Sequence, residues 1–159
     1  KMEIQKNLIT TSICLSLFFS QFANGANWLD TFASSKEKNE KIFLDLSTLK
    51  GYYFEYDYSR TKGYYVTAWI KSNYKAPQKL NNGKLYREVK TLYYFDCINK
   101  KIKIAEMLFY TSAGSVIGSQ KGYVTTYSSD RWDGVIPDTV GEALLTSACD
   151  AYNTLYTPN

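Results

Sequence analysis

Histidine is missing from all 159 residues. That absence removes the Ser-His-Asp and Cys-His nucleophile systems, most zinc sites and the usual general base near neutral pH. Cysteine is scarce, with three in the chain, and Cys97 and Cys149 lie too far apart to frame a metal site without a histidine. No glycine-rich phosphate loop is present, since Gly114, Gly118 and Gly122 do not open a helix. The carboxylates offer one close pair, Glu55 and Asp57 on one face of a strand pattern, but a polar strand face carries such pairs for solubility alone. No catalytic residue, metal ligand or cofactor is therefore assigned, and the chain reads as a non-enzyme. The formal charge of +4 is too slight to demand a nucleic-acid partner. No repeat of 20 to 50 residues is visible.

What is present begins with an export pattern. Lys1 and Lys6 precede an apolar run from Leu8 to Phe19 that is too short to span a bilayer, which takes about 20 residues. Small residues follow at Ala23 and Gly25, so residues 1–25 read as a signal peptide cleaved after Gly25, with Ala26 as the alternative. Cys14 lies inside the apolar run, where a lipid-bearing cysteine would not stand. Residues 26–159 then form one domain of ordinary size, with no transmembrane segment after signal removal. This domain keeps Cys97 and Cys149, an even count in a protein bound for an oxidising compartment, and they are expected to pair.

Strand patterns dominate that domain. Residues 41–46, 52–58, 64–70, 87–97, 101–110 and 114–119 read as strands, with 122–127 weaker, and 72–84 reads as a long polar connection. The 59–63 link suits a hairpin loop, and Asn99-Lys100 suits a tight turn in which the asparagine takes positive φ. Val89, Thr91, Tyr93, Phe95 and Cys97 should share the inward face. Thr139 and Glu142 form a capping box that opens a C-terminal helix, whose stripe of Leu144, Leu145, Ala148, Cys149 and Tyr152 is apolar. The expected fold is α+β, a five- or six-stranded antiparallel sheet with this helix packed on it and tied by the disulfide.

Fifteen tyrosines are the chain's most distinctive stock, eight of them between Tyr52 and Tyr86. Tyrosine offers a large, rigid contact area with a polar tip at low entropic cost. The 52–65 hairpin is therefore the candidate partner-binding surface, through Tyr53, Tyr56, Tyr58, Arg60, Lys62 and Tyr64. The competing interpretation is that one tyrosine row builds the core and the other pairs across strands.

Trp28, the run Phe43-Leu44-Asp45-Leu46-Ser47-Thr48-Leu49, Trp69-Ile70-Lys71, Phe95-Asp96-Cys97, Trp132-Asp133-Gly134-Val135-Ile136-Pro137 and Gly141-Glu142 ahead of Cys149 together resemble the surface-adhesin protein E family. The resemblance implies an antiparallel sheet with a C-terminal helix held by the disulfide. It also implies an exported protein of the periplasm or outer-membrane surface of a Gram-negative bacterium. Its expected partners are proteins, among them host extracellular-matrix or plasma proteins, with a homodimer through an exposed strand edge. The alternative is a soluble periplasmic module that binds a small ligand or acts as an inhibitor.

Overall fold

Alternation along the chain decides which side chains meet. In β4 (Tyr64–Lys79), Val66, Ala68 and Ile70 are buried on one face while Tyr65, Thr67 and Trp69 point to the other. The same alternation buries Ile42 and Leu44 of β2 (Glu40–Asp45) and Val89, Thr91 and Phe95 of β5 (Leu85–Asp96) on that first face. The computed structural model describes residues 25–35, 39–55 and 63–156. The signal pattern at 1–24, and Tyr56, Tyr58, Arg60 and Lys62 of the hairpin, lie outside them.

The strands form one antiparallel sheet of eight, with β1 (Trp28–Asp30), β2, β4, β5, β6 (Lys101–Tyr110) and β7 (Val116–Lys121) in lateral order. Two short pieces complete it: β3 (Lys50–Tyr53) pairs with β4, and β8 (Asp133–Gly134) pairs with β6. β2 and β3 lie in line on the same side of β4, because β2 takes β4 from Ile70 onward and β3 takes it from Thr67 back. The 3-10 turn Leu46–Thr48 joins them. Asp45 fixes that turn, its Oδ1 accepting from the backbone amides of Asn27 and Ser47 and from Ser47 Oγ.

The α+β architecture expected from the residues is the one that forms, and two very short strands, β1 and β8, add to it. Some boundaries differ. β4 runs on through Ser72, Asn73 and Tyr74 to Lys79 where a long connection was expected, because both neighbours pair with it there: β2 across Glu40–Ile42 and β5 across Leu85–Val89. Pro77, which cannot donate to a ladder, is tolerated at the irregularity between Asn73 and Gln78. The actual turn is 80–84, with Gly83 at φ 84°. In the β5–β6 hairpin it is Lys100, not Asn99, that takes positive φ, at 51°. Asn99 instead donates its amide and side chain to the buried Asp96 carboxylate, at 2.9 and 2.8 Å. Residues 122–127 form no strand.

Helix α1 (Val140–Tyr156) covers the first face. Leu144, Leu145, Ala148 and Cys149 pack in one cluster with Ile42, Leu44, Val66, Ala68, Ile70 and Phe95. The Cys97–Cys149 disulfide closes this layer, with Cα atoms 5.8 Å apart. At the helix start, Thr139 Oγ1 accepts the Glu142 amide at 3.4 Å, while the Glu142 carboxylate reaches back to the Asp138 amide at 2.8 Å. The box is thus displaced by one residue on its return side, where Asp138 has φ 60°. Among the described residues no helix is long and apolar enough to cross a membrane.

Candidate partner-binding site

Cross-strand register sorts the hairpin's tyrosines onto opposite sides of the sheet. Tyr53 stands opposite Tyr64, and Tyr52 opposite Tyr65. The first pair lies on the helix side, the second on the far side. Beyond Tyr53 the strand pattern expected to reach residue 58 stops. Phe54 turns inward to 9% exposure, and its amide donates to Gly63 O at 3.0 Å.

On the far side the tyrosines make a stacked row. Tyr52 and Tyr65 have ring centroids 5.5 Å apart at 23°, and Tyr65 and Tyr94 have theirs 5.4 Å apart at 18°. Trp132 closes the end of the row, standing edge-on to Phe54, Tyr65 and Tyr94 at 5.6, 5.6 and 6.0 Å. Such offset and T-shaped contacts are the favoured arrangements of aromatic quadrupoles. The Trp132 indole N–H donates to Thr125 O at 3.1 Å. Tyr65 is buried, and loss of water around its hydroxyl, aided by Tyr94, Tyr52 and Glu55, pushes its pKa up to about 12.

The helix side carries a cleft. Tyr53 and Tyr64 of the hairpin meet Tyr152, Asn153 and Tyr156 from the last turns of α1, around a cleft of about 290 Å³ floored by Gly51. The Tyr64 hydroxyl donates to Asn153 Oδ1 at 3.4 Å. Tyr152 lies between Tyr64 and Tyr156, with centroids 6.0 and 5.2 Å away. A Cβ on residue 51 would collide with the Tyr152 phenol, so glycine is what lets the helix approach β3 this closely. Tyr53 and Tyr156 remain 67% and 56% exposed at the rim.

Of the six residues named as candidates, the structure brings Tyr53 and Tyr64 together at this cleft, and the other four lie outside the described residues. Sequence reasoning missed Tyr156 and assigned Tyr152 only to the helix's apolar stripe. Their spacing of four residues on one helix face was the available signal. The cleft has no carboxylate among its lining residues. Its chemistry is flat aromatic surface with phenol and amide edges, suited to holding another molecule's surface.

The family model described as surface-adhesin protein E matches residues 28–150, from the first residue of β1 into the third turn of α1. No curated protein and no solved structure matches the chain.

Proposed function

Because the chain belongs to the surface-adhesin protein E family, we propose that it is an exported envelope or cell-surface protein that binds other proteins through the tyrosine cleft between β3 and the end of α1. Host extracellular-matrix or plasma proteins are the partners in this reading. The observation that carries it is the pairing of two exposed rings, Tyr53 and Tyr156, with a floor already built from Gly51 and Tyr152. Exposed tyrosine held by a rigid neighbour is the kind of group that dominates protein interfaces, since little freedom is lost when a partner covers it. A second copy pairing along the outer strand β7, whose Val116 is 56% exposed, belongs to the same reading. The alternative small-ligand module would need a deeper enclosure than this open cleft offers.

The test replaces Tyr53 and Tyr156 together by serine and measures binding to purified plasma and matrix proteins. Binding should fall by about tenfold or more, with the melting temperature nearly unchanged because both rings are exposed. Full retention of binding would remove the cleft from the function. Gly51→Ala is the complementary change: it displaces the Tyr152 ring and should weaken binding while leaving both rim tyrosines in place.

A further inference from the structure

The cleft touches the other sheet face through Tyr52, which lines both sites, and that face is built differently. It carries an open groove of about 470 Å³ whose walls include Lys50, Tyr52, Thr67, Trp69 and Tyr94. Lys50 stands opposite Thr67 in the β3–β4 pairing, and Trp69 and Lys71 follow at every second residue of β4. Successive same-face residues lie about 7 Å apart along a strand, so Lys71 stands one step beyond Trp69 on β4, just outside the groove's lining, and Lys50 stands diagonally from Trp69 on β3. The Lys71 ammonium lies over the rings of Trp28 and Phe43, at 4.2 and 4.9 Å to their centroids.

Three lysines of this face form no ion pair among the described residues, although Asp30, opposite Phe43 in the β1–β2 pairing, and Glu55, close to Tyr65, are also near it. Asp45 is consumed by the 46–48 turn, while Glu88, Glu106 and Asp133 are taken by Lys90, Lys121 and Lys103. Lys41, Lys50 and Lys71 have no carboxylate partner among the described residues, and no ionised group other than Lys50 lines the groove. Hydrogen-bonding groups are also uncommitted there. Trp69 uses its backbone amide on Thr48 Oγ1 at 3.0 Å, but its indole N–H and the hydroxyls of Thr67 and Tyr94 have no partner among the described residues and are not shut away from solvent.

We propose that this groove binds an acidic glycan, a sugar chain bearing carboxylate or sulfate groups. A sugar ring has one face of C–H groups and a periphery of hydroxyls. The first stacks on a flat ring such as Trp69, and the second suits the neighbouring indole N–H, threonine and tyrosine groups. An anion on the sugar then falls to Lys50 in the groove or to Lys71 just beyond its lining. A nucleic acid would also stack, but its phosphate density calls for a larger basic excess than this face, or a chain of net charge +4, supplies.

The experiment titrates the purified protein with four probes and follows tryptophan fluorescence and binding heat. The probes are an oligogalacturonate, a heparin-derived oligosaccharide, a neutral dextran oligosaccharide and a single-stranded DNA. Binding of either acidic sugar at least about tenfold above the neutral one is expected, and the uronate and sulfate arms distinguish which acid is read. The Lys50→Gln/Lys71→Gln variant should lose about tenfold in affinity, whereas Lys79→Gln/Lys84→Gln, at the far end of β4 and in the turn that follows it, should lose none. Trp69→Ala should abolish binding; Lys50→Gln alone, at an exposed position, tests the groove even if the tryptophan variant folds poorly. The cleft variant Tyr53→Ser/Tyr156→Ser should bind the sugar normally, which separates this proposal from protein binding. Equal losses in both lysine pairs, tighter binding of the DNA, or no binding of either acidic sugar would each overturn it.

Discussion

Tyr65 is wedged between Tyr52 and Tyr94, and the burial that holds it there also decides when its hydroxyl ionises. Its pKa is pushed from 10.0 to about 12, and that of Tyr74 likewise, mainly by loss of water and, at Tyr74, next by the carboxylate of Glu40. Tyr86 and Tyr93 shift upward for the same two reasons. The sign follows from linkage: a phenol that holds its proton more tightly when folded makes ionisation favour the unfolded chain. The contribution is whole below the ordinary tyrosine pKa of 10.0 and is lost as pH climbs from there toward 12. Urea unfolding should therefore show a stability plateau around pH 8 and a clear fall by about pH 11. Tyr65→Phe should flatten part of that fall, and Glu40→Gln should bring forward the phenolate absorbance of Tyr74; an unchanged alkaline limb in both variants would contradict the assignment.

At the scale of elements, the disulfide links two pieces that local pattern defines separately, the strand ending at Asp96 and the helix beginning at Val140. Closing a loop of 52 residues restricts the unfolded chain by about 4 kcal/mol in the chain-entropy model. Cys97→Ser/Cys149→Ser should accordingly lower the unfolding free energy by up to about that amount, measured by denaturant titration, with α1 the first element to lose protection from hydrogen exchange. This tie was legible in the sequence, since with Cys14 assigned to the export segment the other two cysteines have one partner each. The helix was legible as well, from Thr139, Glu142 and the apolar stripe. The length of β4 was not: Ser72 and Asn73 carry no strand propensity of their own, and their conformation comes from β2 and β5 on either side. The cleft was half legible for a related reason. Tyr53 and Tyr64 share a hairpin, whereas Tyr152 and Tyr156 reach them only through the packing of α1, which no local spacing encodes.

Taken as a whole molecule, the sheet has two unlike faces, each with its own fastening. The helix face is closed by an apolar layer and a covalent bond. The far face is closed over one end by the segment after β7, which brings Val124 and Trp132 onto Phe54, Tyr65 and Tyr94 and then adds β8 beside Lys101 and Ile102. Ser129 seals the same corner, its hydroxyl donating to the buried Asp96 carboxylate at 2.6 Å while its carbonyl accepts Lys101 Nζ at 3.0 Å. A charge buried among several donors is costly to strand, so this corner should behave as a unit. Trp132→Ala removes the ring that touches three others and should cost about 3–5 kcal/mol. Its mark should be regional. Near-ultraviolet dichroism from the Tyr52–Tyr65–Tyr94 row should weaken and amides of 122–134 should exchange faster, while Cys97 and Cys149 stay paired and the Tyr53–Tyr156 cleft keeps its partner. Collapse of both faces together would mean that the aromatic plug supports the helix layer too, and that the two surfaces do not act independently.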